Sequence, residues 1–293
     1  MRGLASYSVY VPWRRLDRKS IAASHAWFAP ALRSLAKGER AIAQWDEDAI
    51  TLGVEAARGC VVDPETNAAV SLTLSSTSLP YIDRQNAGVI KEALRLSDAI
   101  STSDLTGSRR AGTSALLQAL DRSGEALCIS AEKARPQPMS DTELLLGDGA
   151  AAFRVSDRDV IAELVGSVSI SADFVDHFQP VDHPSYQWES RWIRDEGYGK
   201  IVPQAFDALS EKTGVAAGEI AHFAFDAPTP GTQRRVARAL GLQDEAASPR
   251  LSAEIGFVSA AHPLLMLADA LARAAPGELI LVAAFGQGCD MLL

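Results

Sequence analysis

ISTSDLTGSRRAGTSALLQAL, residues 100–120, contains the clearest strand-to-helix transition in the chain and indicates its fold class. The first six residues, Ile100–Leu105, predict a strand, which the turn residues Thr106-Gly107-Ser108 end. Apolar residues at helical spacing then predict a helix from about Arg109 to Leu120. A strand that runs directly into a helix is the repeating unit of layered α/β proteins.

The segments on either side continue this alternation. In the first half we predict strands over 3–12, 69–75, 126–131 and from Gly147, and helices from an N-cap at Asp46 and over 84–96. In the second half we predict helices over 199–211, 233–240 and 258–274, and strands over 221–225, near Arg250 and over 279–285. The strands are continuously apolar, as expected when helices cover both faces of a sheet. The sequence therefore predicts an α/β protein of two βαβαβ halves, residues 1–156 and 157–293.

Composition narrows the class of protein. The chain has 293 residues, 47% of them hydrophobic, and a formal charge of −9. This balance argues against intrinsic disorder and against a basic nucleic-acid-binding face. The cysteines Cys60, Cys128 and Cys289 show no CxxC spacing, which excludes a zinc site made of cysteines alone. With no signal-like segment and no long apolar run, we expect a cytoplasmic protein without a membrane span.

The last residues, 286–293, are largely apolar and follow directly on the strand predicted over 279–285. We therefore expect either a chain that is truncated at its C-terminus or a partner that covers this end.

Several motifs, taken in order, resemble the thiolase superfamily, in its hydroxymethylglutaryl-CoA synthase and type III ketoacyl synthase branch. The matching segments are Gly38–Ala41, Asp46–Ala49, Ala111–Ala115, Gly147–Ala152, Ile255-Gly256 and Gly286-Gln287-Gly288. The resemblance implies a thiolase-like five-layered αβαβα fold, a homo- or hetero-oligomer, and a coenzyme A thioester as substrate with no covalently bound cofactor.

The resemblance also implies where catalytic residues would lie. The family uses a cysteine at a strand-to-helix turn, a histidine and an asparagine, and the synthase branch adds a glutamate. Aligned on Ala111-Gly112-Thr113, the cysteine position is Arg109. The histidine position is Asp226 and the asparagine position is Phe257, while the glutamate region, residues 77–80, has no carboxylate. All four expected groups are therefore absent.

Arg109 and Asp226 occupy two positions that are neighbours in the family site. A guanidinium stays protonated and cannot act as a nucleophile, and a cation at a helix N-terminus needs a compensating charge. We therefore predict a buried Arg109–Asp226 ion pair that fills the former catalytic pocket, with Phe257 adding apolar volume. The alternative is that Arg109 points outward and Asp226 caps a turn.

Two residues offer other routes to catalysis. Ser108 lies next to the nucleophile position, but no histidine occupies the matching position to activate it, so it is also interpreted as a helix cap. His262 is either a displaced base or a histidine near a helix start that contacts the backbone.

Residues 173–189 are rich in aromatics and prolines and repeat Asp-His at 176–177 and 182–183. A loop with this composition could hold a metal, but the spacing fixes no common face, and we expect a partner surface instead and no metal site. The continuation to Lys200 resembles synthase-like proteins that associate with a small OB-fold zinc-ribbon domain and work beside a true thiolase.

These observations lead to two functional hypotheses. In the first, the chain is a non-catalytic, hydroxymethylglutaryl-CoA synthase-like subunit of an acyl-CoA complex for (retro-)Claisen chemistry. Its partners would be a thiolase-like catalytic subunit, an OB-fold zinc-ribbon protein, or both. In the second, it is an active acyltransferase or decarboxylase that uses Ser108, Asp226 or His262. The sequence does not identify residues that bind a cofactor.

Overall fold

The computed structural model describes residues 2–61, 68–180, 183, 185–247 and 251–293. Its strands are β1 (Gly3–Tyr10), β2 (Arg15–Asp17), β3 (Glu39–Ala41), β4 (Ala69–Ser75), β5 (Ser101–Leu105), β6 (Glu125–Glu132), β7 (Gly149–Ser156), β8 (Ala162–Glu163), β9 (Ser167–Ser171), β10 (His177–Phe178), β11 (Tyr186–Gln187), β12 (Ile220–Ala224), β13 (Leu279–Phe285) and β14 (Gly288–Leu292). Its α-helices are α1 (Arg18–His25), α2 (Ala49–Arg58), α3 (Asn86–Ala93), α4 (Ala111–Asp121), α5 (Asp141–Leu145), α6 (Ser190–Trp192), α7 (Gly199–Thr213), α8 (Thr232–Ala239) and α9 (His262–Arg273). A π-helical segment, Ile193–Tyr198, joins α6 to α7.

Two mixed sheets form the framework. The first has the strand order β5-β4-β6-β7-β1-β8, in which β4 runs parallel to β5 and β6, and β7 is antiparallel to β6 and β1. The second has the order β12-β13-β14-β9, with β12 and β13 parallel. The carboxyl ends of β4, β5 and β6 meet at one edge, so the loops that follow them lie side by side.

Helices form three layers around these sheets. Helices α2 and α3 pack on the outer face of the first sheet, α4 and α9 lie between the sheets, and α7 and α8 cover the outer face of the second. Each layer is packed around its own cluster of buried apolar residues. The predicted αβαβα fold is therefore confirmed.

The structure corrects several local predictions. The N-cap of α2 is Asp48 rather than Asp46, because Asp48 and Thr51 form a reciprocal capping box. Strands β9 and β14 were not predicted from the sequence. The strand predicted near Arg250 lies outside the described residues. The boundary between the two halves at 156/157 stays a prediction; β8, which follows it, pairs with β1 in the first sheet.

The apolar C-terminal residues lie inside the fold. They form β14, which pairs with β13 on one side and β9 on the other, and Leu293 is only 7% exposed. Strands β13 and β9 therefore pack against these residues, while the expectation of a truncated chain or a covering partner stays a prediction. No helix in the described ranges combines the length and the apolar character that crossing a membrane requires.

Candidate active site

A cavity of about 750 Å³ opens where the loops of the two sheets meet. Its walls come from the loops after β4, β5 and β6, the β10–β11 hairpin, the segment before α9 and the turn between β13 and β14. Of the residues singled out in the sequence, Ser108, Arg109 and Phe257 line it, whereas its described lining does not include Asp226 or His262. The structure therefore brings only part of the predicted constellation to the cavity.

Arg109 forms its ion pair with a residue that the sequence did not indicate. Its Nη1 lies 3.3 Å from Oδ2 of Asp176, and the two side chains are 8% and 2% exposed. The predicted Arg109–Asp226 pair is therefore wrong, and so is the expectation of a filled pocket, since the cavity beside Arg109 is open. The expectation of a buried, compensated arginine is confirmed. The reason is topological, because the loop between β9 and β10 carries Asp176 over the N-terminus of α4. Its carboxylate compensates the cation at that helix end.

Asp176 also contacts His177, whose Nδ1 is 3.0 Å from the same Oδ2. Burial on its own raises the pKa of Asp176, but the contact with His177 and the charge of Arg109 outweigh it and hold the pKa below its usual range. Burial and the Arg109 charge lower the pKa of His177, so we assign this ring as neutral. Together, the buried Arg109 and Asp176 and the partly exposed His177 form a cluster with no net charge beside the cavity.

Asp226 lies in a separate buried network behind Phe257. Its Oδ1 accepts a hydrogen bond from the backbone N–H of Ala227 at 2.8 Å, and its Oδ2 accepts one from Ser252 at 3.2 Å. The same Oδ2 lies 3.4 Å from Nε2 of His262. These contacts occupy the carboxylate with backbone donors and a histidine instead of Arg109.

His262 is the first residue of α9 and is 1% exposed. Its Nδ1 accepts a hydrogen bond from the backbone N–H of Val258 at 3.1 Å, which places the ring proton on Nε2. The interpretation of His262 as a helix-start histidine that contacts the backbone is confirmed. Its ring packs 4.6 Å from the ring of Phe257, which stands between it and the cavity wall.

Phe257 is 5% exposed, and its ring centroid lies 6.0 Å from Cζ of Arg109. The aromatic face therefore supports the guanidinium from one side. As predicted, this position contributes apolar volume and no hydrogen-bond donor.

Ser108 is held against the second half of the chain. Its hydroxyl donates to the carbonyl of Gly286 at 2.7 Å and accepts from the backbone N–H of Arg110 at 3.2 Å. A Cβ at Gly286 would lie 2.7 Å from Oγ of Ser108 and 2.9 Å from the backbone nitrogen of Arg109, so this close approach requires glycine. The hydroxyl proton of Ser108 is therefore committed to a carbonyl, which is the arrangement of a cap rather than of an activated nucleophile.

The three cysteines are all buried. Burial raises the pKa of Cys60 to about 11 and that of Cys128 to about 12, and it also raises the pKa of Cys289. The described lining of the cavity includes no cysteine. Because the thiolate is the reactive form, these thiols are chemically inert in the folded protein.

The structure places a carboxylate from elsewhere in the chain beside residues 77–80, the segment that aligns with the family glutamate and has no acid of its own. Glu132, the last residue of β6, lines the cavity at 2% exposure. It accepts hydrogen bonds from the backbone N–H and hydroxyl of Thr77, at 2.6 and 3.0 Å, and from the hydroxyl of Ser78 at 2.7 Å. Glu132 was not predicted, because it reaches residues 77–80 from β6, more than 50 positions away in the chain. The available signal was a glutamate at the end of an otherwise apolar, buried strand.

Burial raises the pKa of Glu132 above its usual range, although the donors of Ser78 and Thr77 act in the opposite direction. A raised pKa adds stability below the unfolded-state value of about 4.3, and this contribution is lost as the pH rises through the folded-state value. We therefore expect the natural protein to lose unfolding free energy relative to Glu132→Gln as the pH rises from 4 to 7. Urea unfolding at a series of pH values measures this difference.

Glu125→Gln is the matched control, because Glu125 begins the same strand and pairs with Arg154 outside the cavity. The unfolding free energy of this variant should change with pH as that of the natural protein does, because Glu132 is still present. A difference for Glu132→Gln that does not change across this range would contradict a raised pKa.

The aromatic stretch predicted as a partner surface forms one wall of the cavity. Phe178 in β10 stacks on Tyr186 in β11 at 5.2 Å, with both rings partly exposed. Phe174 stacks on Trp192 at 4.2 Å and anchors the base of this hairpin to α6. Asp182 lies outside the described residues. Among the residues that are described, no three His, Cys, Asp or Glu side chains are grouped to hold a metal ion.

Comparisons with known proteins agree with this architecture. A family model described as 3-oxoacyl-[acyl-carrier-protein (ACP)] synthase III C terminal matches residues 210–292. Hydroxymethylglutaryl-CoA synthase from Aeropyrum pernix is 31% identical over 98% of this chain and 82% of its own.

Two solved structures share the fold. OleA from Xanthomonas campestris, solved with bound lauric acid and lauroyl-CoA, has a TM-score of 0.86 at 20% identity and covers 99% of this chain and 97% of its own. An HMG-CoA synthase complexed with CoA has a TM-score of 0.84 at 15% identity and covers 99% of this chain and 81% of its own. From the sequence match and the shared fold, we conclude that the chain belongs to the hydroxymethylglutaryl-CoA synthase family, in the branch of the thiolase superfamily that includes 3-oxoacyl-ACP synthase III.

Proposed function

We propose that this protein binds a coenzyme A thioester in its cavity without forming an acyl-enzyme, and serves as a non-catalytic subunit of an acyl-CoA complex. The observation that carries the proposal is the Arg109–Asp176 ion pair at the position of the family nucleophile. A guanidinium at that position cannot accept an acyl group, because it has no nucleophilic lone pair at physiological pH.

The remaining nucleophiles support the same conclusion. Ser108 donates its proton to a carbonyl oxygen, and the three cysteines lie in the core with raised pKa values. Asp226 and His262, which the alternative hypothesis of an active enzyme invoked, contact each other away from the cavity. None of these groups is arranged as a nucleophile with a base beside it.

The cavity itself supports ligand binding. Its volume of about 750 Å³ falls within the range of small-molecule sites, and its walls combine apolar side chains with many polar and charged ones. Two fold neighbours were solved with CoA or an acyl-CoA bound. A coenzyme A thioester is therefore the ligand class that we propose for this chain.

A partner would supply the missing chemistry. We propose a thiolase-like catalytic subunit, an OB-fold zinc-ribbon protein, or both, within a cytoplasmic complex for (retro-)Claisen carbon–carbon bond chemistry. Partly exposed aromatic side chains on and beside the β10–β11 hairpin, namely Phe178, Tyr186 and Trp188, are suited to such an interface.

Calorimetric titration of the purified protein with hexanoyl-CoA, followed by intact-mass and turnover measurements, tests the proposal. We expect saturable binding, no mass increase of the protein and no consumption of the thioester. A covalent acyl adduct, or turnover that Glu132→Gln abolishes, would overturn the non-catalytic role. Failure of hexanoyl-CoA to bind would overturn the ligand class.

A further inference from the structure

The guanidinium of Arg109 has donors that the protein does not use. An arginine carries five N–H groups, and within the described ranges this one makes a single hydrogen bond, from Nη1 to Asp176. Its buried Nε has no partner there. Arg109 is 7% exposed and lines the cavity, so its remaining accessible surface faces that space. Because Nε itself is fully buried, an acceptor that binds from the cavity would use the Nη donors that Asp176 leaves unoccupied.

The charges around Arg109 indicate what kind of acceptor this is. Asp176 already neutralises the guanidinium, and His177 is neutral. The side chain of Glu132 also faces the cavity, while the other lining arginine, Arg135, is exposed. A ligand carboxylate placed here would meet the carboxyl groups of Asp176 and Glu132, which disfavours a second negative charge. An uncharged oxygen, such as a carbonyl, accepts a hydrogen bond without that penalty.

The lining on the two sides of Arg109 differs in polarity. Phe257 packs on one side, 6.0 Å from Cζ, and Thr106-Gly107-Ser108 precedes Arg109 along the wall. In an acyl-CoA, a carbonyl lies between the apolar acyl chain and the polar coenzyme A. It would fit at Arg109, where the apolar and polar parts of the wall meet. That carbonyl is the one of the thioester.

We infer that Arg109 donates a hydrogen bond to the carbonyl oxygen of an intact acyl thioester held in the cavity. This inference rests on the proposed function and specifies the atom that the cavity recognises. The carbonyl is oriented and polarised, but the hydroxyl of Ser108 donates to Gly286 and is not available to attack it. Arg109, at the family's nucleophile position, thus binds the thioester carbonyl instead of attacking it.

A matched pair of ligands tests the inference. Hexanoyl-CoA carries the thioester carbonyl, and the thioether hexyl-CoA lacks it but keeps the rest of the carrier. A hydrogen bond from a charged donor contributes about 1.5–3 kcal/mol, so we expect hexanoyl-CoA to bind roughly 10- to 100-fold more tightly. In the double variant Arg109→Met/Asp176→Leu, which removes both charges together, the ratio of the two affinities should fall to about one.

A spectroscopic readout separates this contact from a general loss of structure. The infrared band of a ¹³C-labelled thioester carbonyl should shift to lower frequency on binding to the natural protein and remain unshifted with the double variant. Arg58→Met is the control, since Arg58 lies on α2 outside the cavity lining and pairs with Glu55, and it should retain both the affinity ratio and the band shift. Equal affinities with an unshifted band would overturn this inference alone, whereas binding of neither ligand would overturn the proposed function.

Discussion

Replacing Asp176 by alanine is expected to lower the free energy of unfolding by about 3–5 kcal/mol, because Arg109 then remains buried without a counter-charge. Burial of an uncompensated cation costs far more than the small net gain from making the ion pair. Equilibrium unfolding in urea, followed by circular dichroism, measures the change.

Two controls make this result specific. Arg109→Met/Asp176→Leu replaces the pair by apolar side chains of similar size and should recover most of the lost stability. Asp195→Ala removes an acid that contacts Arg194 at the surface, and its effect should be small. A loss below about 1 kcal/mol for Asp176→Ala would show that another group compensates Arg109.

The pH dependence gives an independent check on Asp176. Because the pKa of this carboxyl is held below its usual range, its stabilising contribution is present above the unfolded-state value of about 3.9. The contribution is lost as the pH falls through the folded-state value. The difference in stability between the natural protein and Asp176→Asn should therefore be constant near neutrality and shrink below about pH 4.

The second large effect concerns thiol reactivity. We expect the variant Arg109→Cys/Asp176→Asn to react with iodoacetamide at pH 8 at least 100-fold faster than the natural protein. A cavity-lining thiol with an ordinary pKa of about 8.5 is roughly 20% ionised at that pH, whereas a thiol of pKa about 11, as in Cys60, is only ~0.1% ionised. Substituting Asp176 in the same variant prevents its charge from raising the pKa of the new thiol.

Mass spectrometry with peptide mapping identifies the labelled position. The natural protein in denaturant should label at Cys60, Cys128 and Cys289, which shows that burial alone protects them. Rapid labelling of the folded natural protein would contradict the inert cysteines on which the proposed function depends.

Much of the fold follows from local sequence. Strands β4 (Ala69–Ser75) and β13 (Leu279–Phe285) have the predicted bounds. Strand β13 is a continuous apolar run, whereas β4 alternates apolar residues with serine and threonine, and both patterns are typical of strands. Strands β9 and β14 escaped prediction for physical reasons. Ser167–Ser171 is a five-residue edge strand in which three residues are serine, and Gly288–Leu292 contains glycine and a buried aspartate. Asp290 is tolerated there because Arg110 pairs with it from α4, a contact that no local pattern shows.

The site was predictable only in part. The position of Arg109 followed from the motif after it, and the need for a counter-charge followed from the helix N-terminus. The partner did not follow, because Asp226 was chosen from its alignment with the family histidine and no local pattern links Asp176 to Arg109. Whether Asp176 or Asp226 reaches Arg109 depends on the path of the loop between β9 and β10. That path is set by contacts between segments that are far apart in the sequence. Glu132 was missed for the same reason, because its neighbours Thr77 and Ser78 are more than 50 positions away.

The cavity is built from chain segments that are remote from one another, and this has a consequence for folding. The bond from Ser108 to Gly286 spans 178 positions, and that between Thr77 and Ser259 spans 182. Contacts between residues so far apart in the sequence form late in folding, because closing the large loop between them costs conformational entropy. A molecule held in the cavity would contact both ends of these loops in the native state only. Occupancy should therefore raise the melting temperature with concentration and slow unfolding, so that thermal shift can report binding before any chemistry is known.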